Sequence, residues 1–245
     1  MRALFRLAAL AALALVAAPV LAQDASDWLF SGGVFAMSDY VWRGVSQTQE
    51  DPTWKLELLV EHDSGFYLGG EFFGVDFVPS DADYDDGISH EGNVYLGWGH
   101  EFSDTLWLDL SYTRIFYPGS EPDYNSDFNE FEVVLGFAEH YSLTANYSDD
   151  TINLGHSAWY WRVGGEWELG GSGVMLGAGA GIYDLGAQLG GSYRDHELFL
   201  ARDFGRLGLK LAFTDTSGYD DDLADALGER HLAGQRVALI AGFRF

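Results

Sequence analysis

The sequence predicts an all-β fold: an antiparallel, up-and-down transmembrane β-barrel of about 12 strands, with short periplasmic turns and long outer loops. Three observations predict it. Apolar and polar residues alternate along most of the chain, short and long connections alternate between the segments that show this pattern, and the last segment, VALIAGFRF, runs to the final residue.

The alternation has a period of two residues, which is typical of a β-strand and not of a helix. Residues 54–61 read WKLELLVE, residues 106–113 read LWLDLSYT and residues 207–213 read LGLKLAF. The pattern leaves the facing of segments 28–37 and 192–203 open. The predicted strands are 28–37, 54–62, 66–76, 92–100, 105–116, 128–138, 141–148, 157–169, 173–184, 192–203, 206–214 and 236–245.

The connections show a second regularity. Five are short, around 62–65, 102–104, 139–140, 170–173 and 204–205. The six between them are longer, at about 38–53, 77–91, 117–127, 149–156, 185–191 and 215–235. Outer-membrane barrels sort their connections in this way, with tight turns at one end and long loops at the other.

The end of the chain fits the same architecture. Strand edges must be closed in lipid, because unpaired backbone groups find no water there. We therefore expect the last strand to pair with the first and Phe245 to form part of the wall. A final strand that ends in Phe is also expected to engage the barrel-assembly machinery.

Residues 1–22 are predicted to be a secretory signal peptide, and residues 23–245 a single barrel domain in the bacterial outer membrane. Basic Arg2 and Arg6 precede an apolar run, and the segment ends in Val20-Leu21-Ala22. Loss of those two arginines takes the formal charge from −25 to −27, which argues against nucleic acid as a partner. The chain has no cysteine for disulfides or thiol chemistry.

Charged residues on the polar faces of the strands are expected to line the pore, because charges within a membrane protein face water or each other. They would either filter solutes or form ion pairs that fill the barrel. The predicted pore-lining residues are Lys55, Glu57, Glu71, Asp109, Glu130, Glu132, Arg162, Glu166, Lys210 and Arg236.

Residues 38–48 read SDYVWRGVSQT, with HDSGFYLGG and GVDF further on. This part of the chain, residues 32–77, resembles the TorF family of proteobacterial porins. The family pattern has Ser-Asn before Val-Asp-Phe, whereas Phe73-Gly74 stand there in this sequence. The resemblance implies passive transport across the outer membrane and supplies neither a substrate nor catalytic residues. Its motif residues are Ser38, Asp39, Tyr40, Trp42, Arg43 and Gly44.

Two interpretations of this motif stay open. In one, Asp39 and Arg43 form a charged pair at the pore mouth while Tyr40 and Trp42 anchor the membrane interface. In the other, the motif locks the end of the first strand against its neighbours where the barrel closes.

The long loops are acidic. Asp81, Asp83 and Asp85 have the spacing that begins a calcium loop, but Asp86 stands where Gly is needed. A solvated acidic rim is the alternative. Residues 220–231 predict a short helix in the last loop, which would either constrict the pore or cap the loop.

The resulting hypothesis is a porin-like channel, without cofactor or catalytic activity, for small solutes or ions and with a weak preference for cations. A non-conducting barrel with a structural or surface-interaction role is the first alternative. A soluble, exported all-β binding protein is the second, because periodicity alone does not say whether the apolar face points outward or inward.

Overall fold

The computed structural model describes residues 27–80 and 82–245. Its strands are β1 (Trp28–Met37), β2 (Val41–Trp42), β3 (Val45–Ser46), β4 (Thr53–His62), β5 (Phe66–Gly74), β6 (His90–Ser103), β7 (Leu106–Phe116), β8 (Phe128–Phe137), β9 (Tyr141–Ser148), β10 (Ala158–Glu168), β11 (Val174–Gly186), β12 (Gly191–Phe204), β13 (Leu207–Ser217) and β14 (Arg236–Arg244). The predicted signal peptide, residues 1–22, lies outside the described residues and stays a prediction.

All strands except β2 and β3 form one closed antiparallel barrel in which each strand pairs with the next and β14 pairs with β1. The short strands β2 and β3 form a separate hairpin. The prediction of an antiparallel barrel of 12 strands is therefore confirmed, and β1 and β9 have the predicted bounds.

The apolar face of the wall points outward. On β13, Leu207, Leu209, Leu211 and Phe213 are 37% to 48% exposed, whereas Ala212 and Thr214 on the other face are 5% and 8% exposed. A barrel in water would place its apolar face inside. The outward-pointing apolar face observed here is that of a barrel in lipid. This arrangement contradicts the alternative of a soluble binding protein.

The exposure of their side chains establishes the facing of β1 and β12, which the sequence pattern left open. Phe35 and Met37 of β1 are buried inside the barrel, and Val34 is exposed on its outer surface. On β12, Asp195 is buried, whereas Leu198 and Leu200 are exposed. Both strands alternate like the rest of the wall.

Glycines in the wall make room for large inward side chains of neighbouring strands. The ring of Phe35 lies over Gly242, the ring of Phe199 over Gly177 and the guanidinium of Arg162 over Gly179. A Cβ atom at any of these glycines would lie 2.1 to 2.3 Å from the side chain above it. The glycines thus let bulky side chains lie flat against the wall and not across the lumen.

The chain end is part of the wall, as expected. Phe245 N donates to Gly32 O and Gly32 N donates to Phe245 O, both at 2.9 Å. The ring of Phe245 is exposed on the outer, apolar surface. The last residue therefore completes the seam between β14 and β1.

Deleting Phe245 is expected to lower the folded yield strongly, because two backbone groups at the seam would lose their partners in lipid. Phe245→Ala keeps both hydrogen bonds and removes only the ring, so its yield should lie between those of the deletion and the unaltered chain. Heat-dependent gel mobility measures the folded fraction. Equal yields for all three chains would show that the seam does not need this residue.

The connections alternate in length with one exception. The link 187–190 between β11 and β12 is as short as the turns at the other end, because both strands extend beyond the predicted bounds. The last loop contains the expected helix, α1 (Asp221–Leu227), which begins after Asp220, whose side chain accepts a hydrogen bond from Leu223 N. Among residues 27–80 and 82–245, no helix has the length and hydropathy needed to cross a membrane.

Candidate functional site

The first long loop folds back into the barrel and carries the β2–β3 hairpin. Val41 pairs with Ser46 and Trp42 with Val45, so that Arg43 and Gly44 form a two-residue turn. Both turn residues have positive φ values, 48° and 80°, which is the geometry of a type I′ turn. The sequence pattern did not predict this hairpin because its strands are only two residues long.

Arg43, at the tip of the hairpin, is buried among wall residues. Its Nη2 atom lies 2.6 Å from Glu130 Oε2, and its Cζ atom lies 4.3 to 4.5 Å from the ring centroids of Trp42, Tyr160 and Tyr183. Burial is the largest single influence and lowers the pKa of Arg43, but Glu130, Tyr183 and Tyr160 together outweigh burial and hold the pKa above its ordinary value. The guanidinium is therefore a permanent charge inside the barrel.

The structure corrects the interpretation of Asp39 and Arg43 as one charged pair. Asp39 Oδ2 accepts from Arg236 Nη1 at 3.0 Å, and Asp39 Oδ1 accepts from the hydroxyls of Ser46 and Thr48. Arg43 lies at the far end of the hairpin and pairs with Glu130. The motif thus forms two ion pairs, one that anchors the base of the loop and one that holds its tip.

Tyr40 and Trp42 are not interface anchors either. Tyr40 stacks on Phe73 with ring centroids 4.6 Å apart, and Trp42 contacts Tyr183 at 5.7 Å, both inside the barrel. The other motif residues hold the loop: the Ser38 hydroxyl accepts from Leu239 N, and Gly44 O accepts from the Thr216 hydroxyl at 2.8 Å.

Two apolar clusters close the long-loop end around Trp42. One contains Val45, Tyr183, Leu223 and Leu232, and joins the hairpin to α1. The other contains Met37, Phe73, Ile115 and Phe128 among its members. Helix α1 therefore caps the barrel, and the narrowing inside the lumen comes from the first loop.

Beneath the hairpin lies a cavity of about 430 Å³ that reaches the turn between β8 and β9. Four Lys and Arg side chains line it, and each of the four is ion-paired. Arg43 pairs with Glu130, Lys55 with Glu57 and Glu71, Arg162 with Asp195 and Glu197, and Lys210 with Glu197, at 2.6 to 3.2 Å. The positive charges of the cavity wall are thus fully matched.

Three carboxylates on the strands of the same wall have no cationic partner within the described residues. Glu91 accepts hydrogen bonds from Tyr40, Tyr117 and Asn93 at 3.0 to 3.2 Å. Glu132 accepts from Asn146 at 3.0 Å, and Glu166 lines the cavity nearer the short turns. The cavity wall therefore holds more acidic than basic side chains along its length.

The predicted pore-lining residues all point into the barrel, but they separate into groups. Seven line the cavity: Lys55, Glu71, Glu130, Glu132, Arg162, Glu166 and Lys210. Glu57 pairs with Lys55, and Arg236 anchors the loop. Asp109 accepts from Tyr67 at 2.6 Å beside a separate, small pocket near the short turns.

Among the acidic side chains that line the cavity, Asp195, Glu197 and Glu91 were not predicted. Asp195 and Glu197 lie on β12, whose facing the pattern left open, and Glu91 lies one residue before the predicted start of its strand. Neighbouring sequence carries a signal for Glu91, because Glu91, Asn93 and Tyr95 alternate with Gly92, Val94 and Leu96. Extending that alternation backward would have placed Glu91 inside.

The candidate metal residues do not form a site in the described part of the chain. Asp81 lies outside the described residues. Asp83 and Asp85 are exposed, and Asp85 Oδ1 accepts from Gly87 N in a local turn. No cluster of three or more His, Cys, Asp or Glu suited to a metal ion occurs in residues 27–80 and 82–245.

Comparison with known proteins supplies a family and a fold. A family model described as "Bacterial protein of unknown function (Gcw_chp)" matches residues 21–240; the resemblance to TorF porins is not confirmed by it. No curated protein matches.

Among solved structures, the KdgM porin superposes with a TM-score of 0.53 at 8% identity, covering 88% of this chain and 98% of that chain. The NanC porin superposes with a TM-score of 0.51 at 9% identity, and the match covers 88% of this chain and 98% of that chain. The chain therefore has a porin-like outer-membrane barrel fold.

Proposed function

The chain belongs to the Gcw_chp family of bacterial proteins of unknown function, and because its barrel has a porin-like fold we propose that it is a porin-like channel. It would let small solutes and ions diffuse passively across the outer membrane, with a preference for cations. The observation that carries the preference is the acidic composition of the lumen. In residues 27–80 and 82–245, each Lys and Arg of the cavity wall is ion-paired, whereas Glu91, Glu132 and Glu166 have no cationic partner.

Unpaired carboxylates along a water-filled path attract cations and repel anions. One solved KdgM structure, with a TM-score of 0.52 at 8% identity, holds a disordered oligogalacturonate, a ligand whose sugars are acidic. The excess of acidic over basic side chains in this lumen fits cationic or neutral solutes, so we do not extend that ligand to this chain. The acidic outer loops support the same preference by raising the local cation concentration.

The preference is tested by the reversal potential in a salt gradient across a planar bilayer. The unaltered chain should be cation-selective, and Glu132→Gln should move the reversal potential toward zero because it removes an unpaired charge. Asp104→Asn, in an exposed short turn, changes the net charge equally outside the lumen and should have little effect. Anion selectivity of the unaltered chain would refute the proposal.

Substituting Glu130 tests the contribution of a paired carboxylate to cation selectivity. Because Glu130 balances Arg43, Glu130→Gln leaves a buried cation and should reduce cation selectivity more than Glu132→Gln does. The double substitution should shift the potential furthest. If neither glutamate changes the potential, these residues do not line the path.

A non-conducting barrel is the second candidate, favoured by the apolar packing at the long-loop end. Its acidic loops would then serve contacts at the cell surface. Single-channel recording separates the two functions, because a non-conducting barrel shows no unit conductance at any salt concentration. Neither function involves catalysis, and the interaction of the C-terminal strand with the assembly machinery stays a prediction.

A further inference from the structure

The barrel wall builds a cage for a guanidinium, and the occupant of that cage comes from a loop. Tyr160 on β10 and Tyr183 on β11 are perpendicular, with an interplanar angle of 89° and centroids 6.0 Å apart. Arg43 Cζ lies 4.4 and 4.5 Å from these two centroids. Glu130 on β8 supplies the carboxylate, 2.6 Å from Nη2.

This combination suits an organic cation that carries N–H groups, as a guanidinium does. Aromatic faces attract a cation through the ring quadrupole, and a carboxylate adds a charge-assisted hydrogen bond to an N–H group. A neutral group of the same shape would leave the buried Glu130 charge unbalanced, which is costly. The three wall residues would therefore recognise a guanidinium whatever chain or molecule carried it.

Arg43 uses the cage incompletely. Its Nη1 atom is buried without a hydrogen-bond partner, and so is Asp195 Oδ2 in the same cavity wall. Asp195 uses its other oxygen to accept from Tyr160 and Arg162 at 3.2 Å. A donor and an acceptor thus remain unsatisfied because the hairpin holds the guanidinium in one position, whereas an untethered ligand is free to bond both carboxylates.

The hairpin that holds Arg43 is also strained. Arg43 has a φ of 48°, in the left-handed region that a residue with a Cβ atom adopts only at a cost. The hairpin is closed by only two residue pairs. Displacing the tip of the hairpin would release that strain and return the Arg43 Nη1 group to water.

We propose that this cage is a binding site for an external organic cation of the guanidine class, and that Arg43 is an internal substitute that the ligand displaces. The inference deepens the proposed function and rests on it for the route by which a ligand reaches the lumen. Binding itself needs no conduction, so it is tested separately, on the purified full chain in detergent micelles.

The first measurement empties the cage. Arg43→Asn removes the guanidinium and keeps the turn, since Asn-Gly is a preferred type I′ pair. The thermal unfolding midpoint should fall, and millimolar methylguanidinium should restore part of it. N-methylurea, a neutral analogue of similar shape, and sodium chloride of equal ionic strength should restore none. Absence of any difference between methylguanidinium and N-methylurea would overturn the proposal.

The second measurement keeps Arg43 and asks whether a ligand displaces it. The chain has no cysteine, and Val45 in the hairpin is 2% exposed. In Val45→Cys, methylguanidinium should raise the rate of maleimide labelling several-fold and saturably. Adding Glu130→Gln should abolish the increase because the cage loses its carboxylate.

The outcomes are distinct. Restoration in Arg43→Asn without faster labelling in Val45→Cys would mean that Arg43 is only a structural lock, which overturns the proposal. If Arg43→Asn does not fold, the labelling measurement decides alone. If the chain binds methylguanidinium in both measurements yet shows no unit conductance, the proposed channel function is refuted and the proposed binding site is retained.

Discussion

Replacing residues 41–46 by Asn-Gly is expected to raise single-channel conductance several-fold while the barrel stays folded. The hairpin lies inside the barrel and packs Trp42 and Arg43 against the wall, so its removal widens the path. The junction is already closed, because Gln47 N donates to Tyr40 O at 2.7 Å, and a two-residue turn can join these positions. Recording in planar bilayers measures the change.

The matched control is Arg43→Asn, which keeps the hairpin backbone and removes only one side chain. Its conductance should rise less than that of the excised chain. Heat-dependent gel mobility must show both chains folded. An unchanged conductance in the folded, excised chain would mean that the hairpin does not lie on the ion path.

Arg236→Met is expected to cause the largest loss of stability, because it leaves Asp39 as an unpaired charge whose side chain is 8% exposed. Breaking one partner of a buried pair costs about 3–5 kcal/mol. The hydrogen bonds from Ser46 and Thr48 to Asp39 remain, which favours the lower part of this range. Urea unfolding of the protein in lipid vesicles measures the free energy of unfolding.

Arg230→Met provides the control for this prediction. Arg230 pairs with Asp221 on the surface of the last loop, where the two side chains are 60% and 86% exposed. Such a pair contributes about 0–1 kcal/mol. Combining Asp39→Asn with Arg236→Met should cost less than the two single changes added together, since both remove the same ion pair. An additive result would contradict a direct interaction.

The strands were predictable because their signal is local. Residues 141–148 alternate between a lipid-facing and a lumen-facing side, so adjacent residues of the sequence differ in burial. Segment 192–203 was harder because it extends past the apolar band: Arg194 and His196 are exposed on the side that carries Leu198 and Leu200. The facing of β12, and with it Asp195 and Glu197, became clear only from its pairing.

The sequence by itself determined the barrel, the alternation of its walls and the terminal seam at Phe245, because each follows from period-two burial or from the need to pair strand edges in lipid. Only the tertiary structure decided what fills the lumen. Arg43 meets Glu130 across 87 positions and Asp39 meets Arg236 across 197. Such partners face each other only once the sheet has closed and the first loop has turned inward. A pattern among neighbouring residues therefore does not predict these ion pairs.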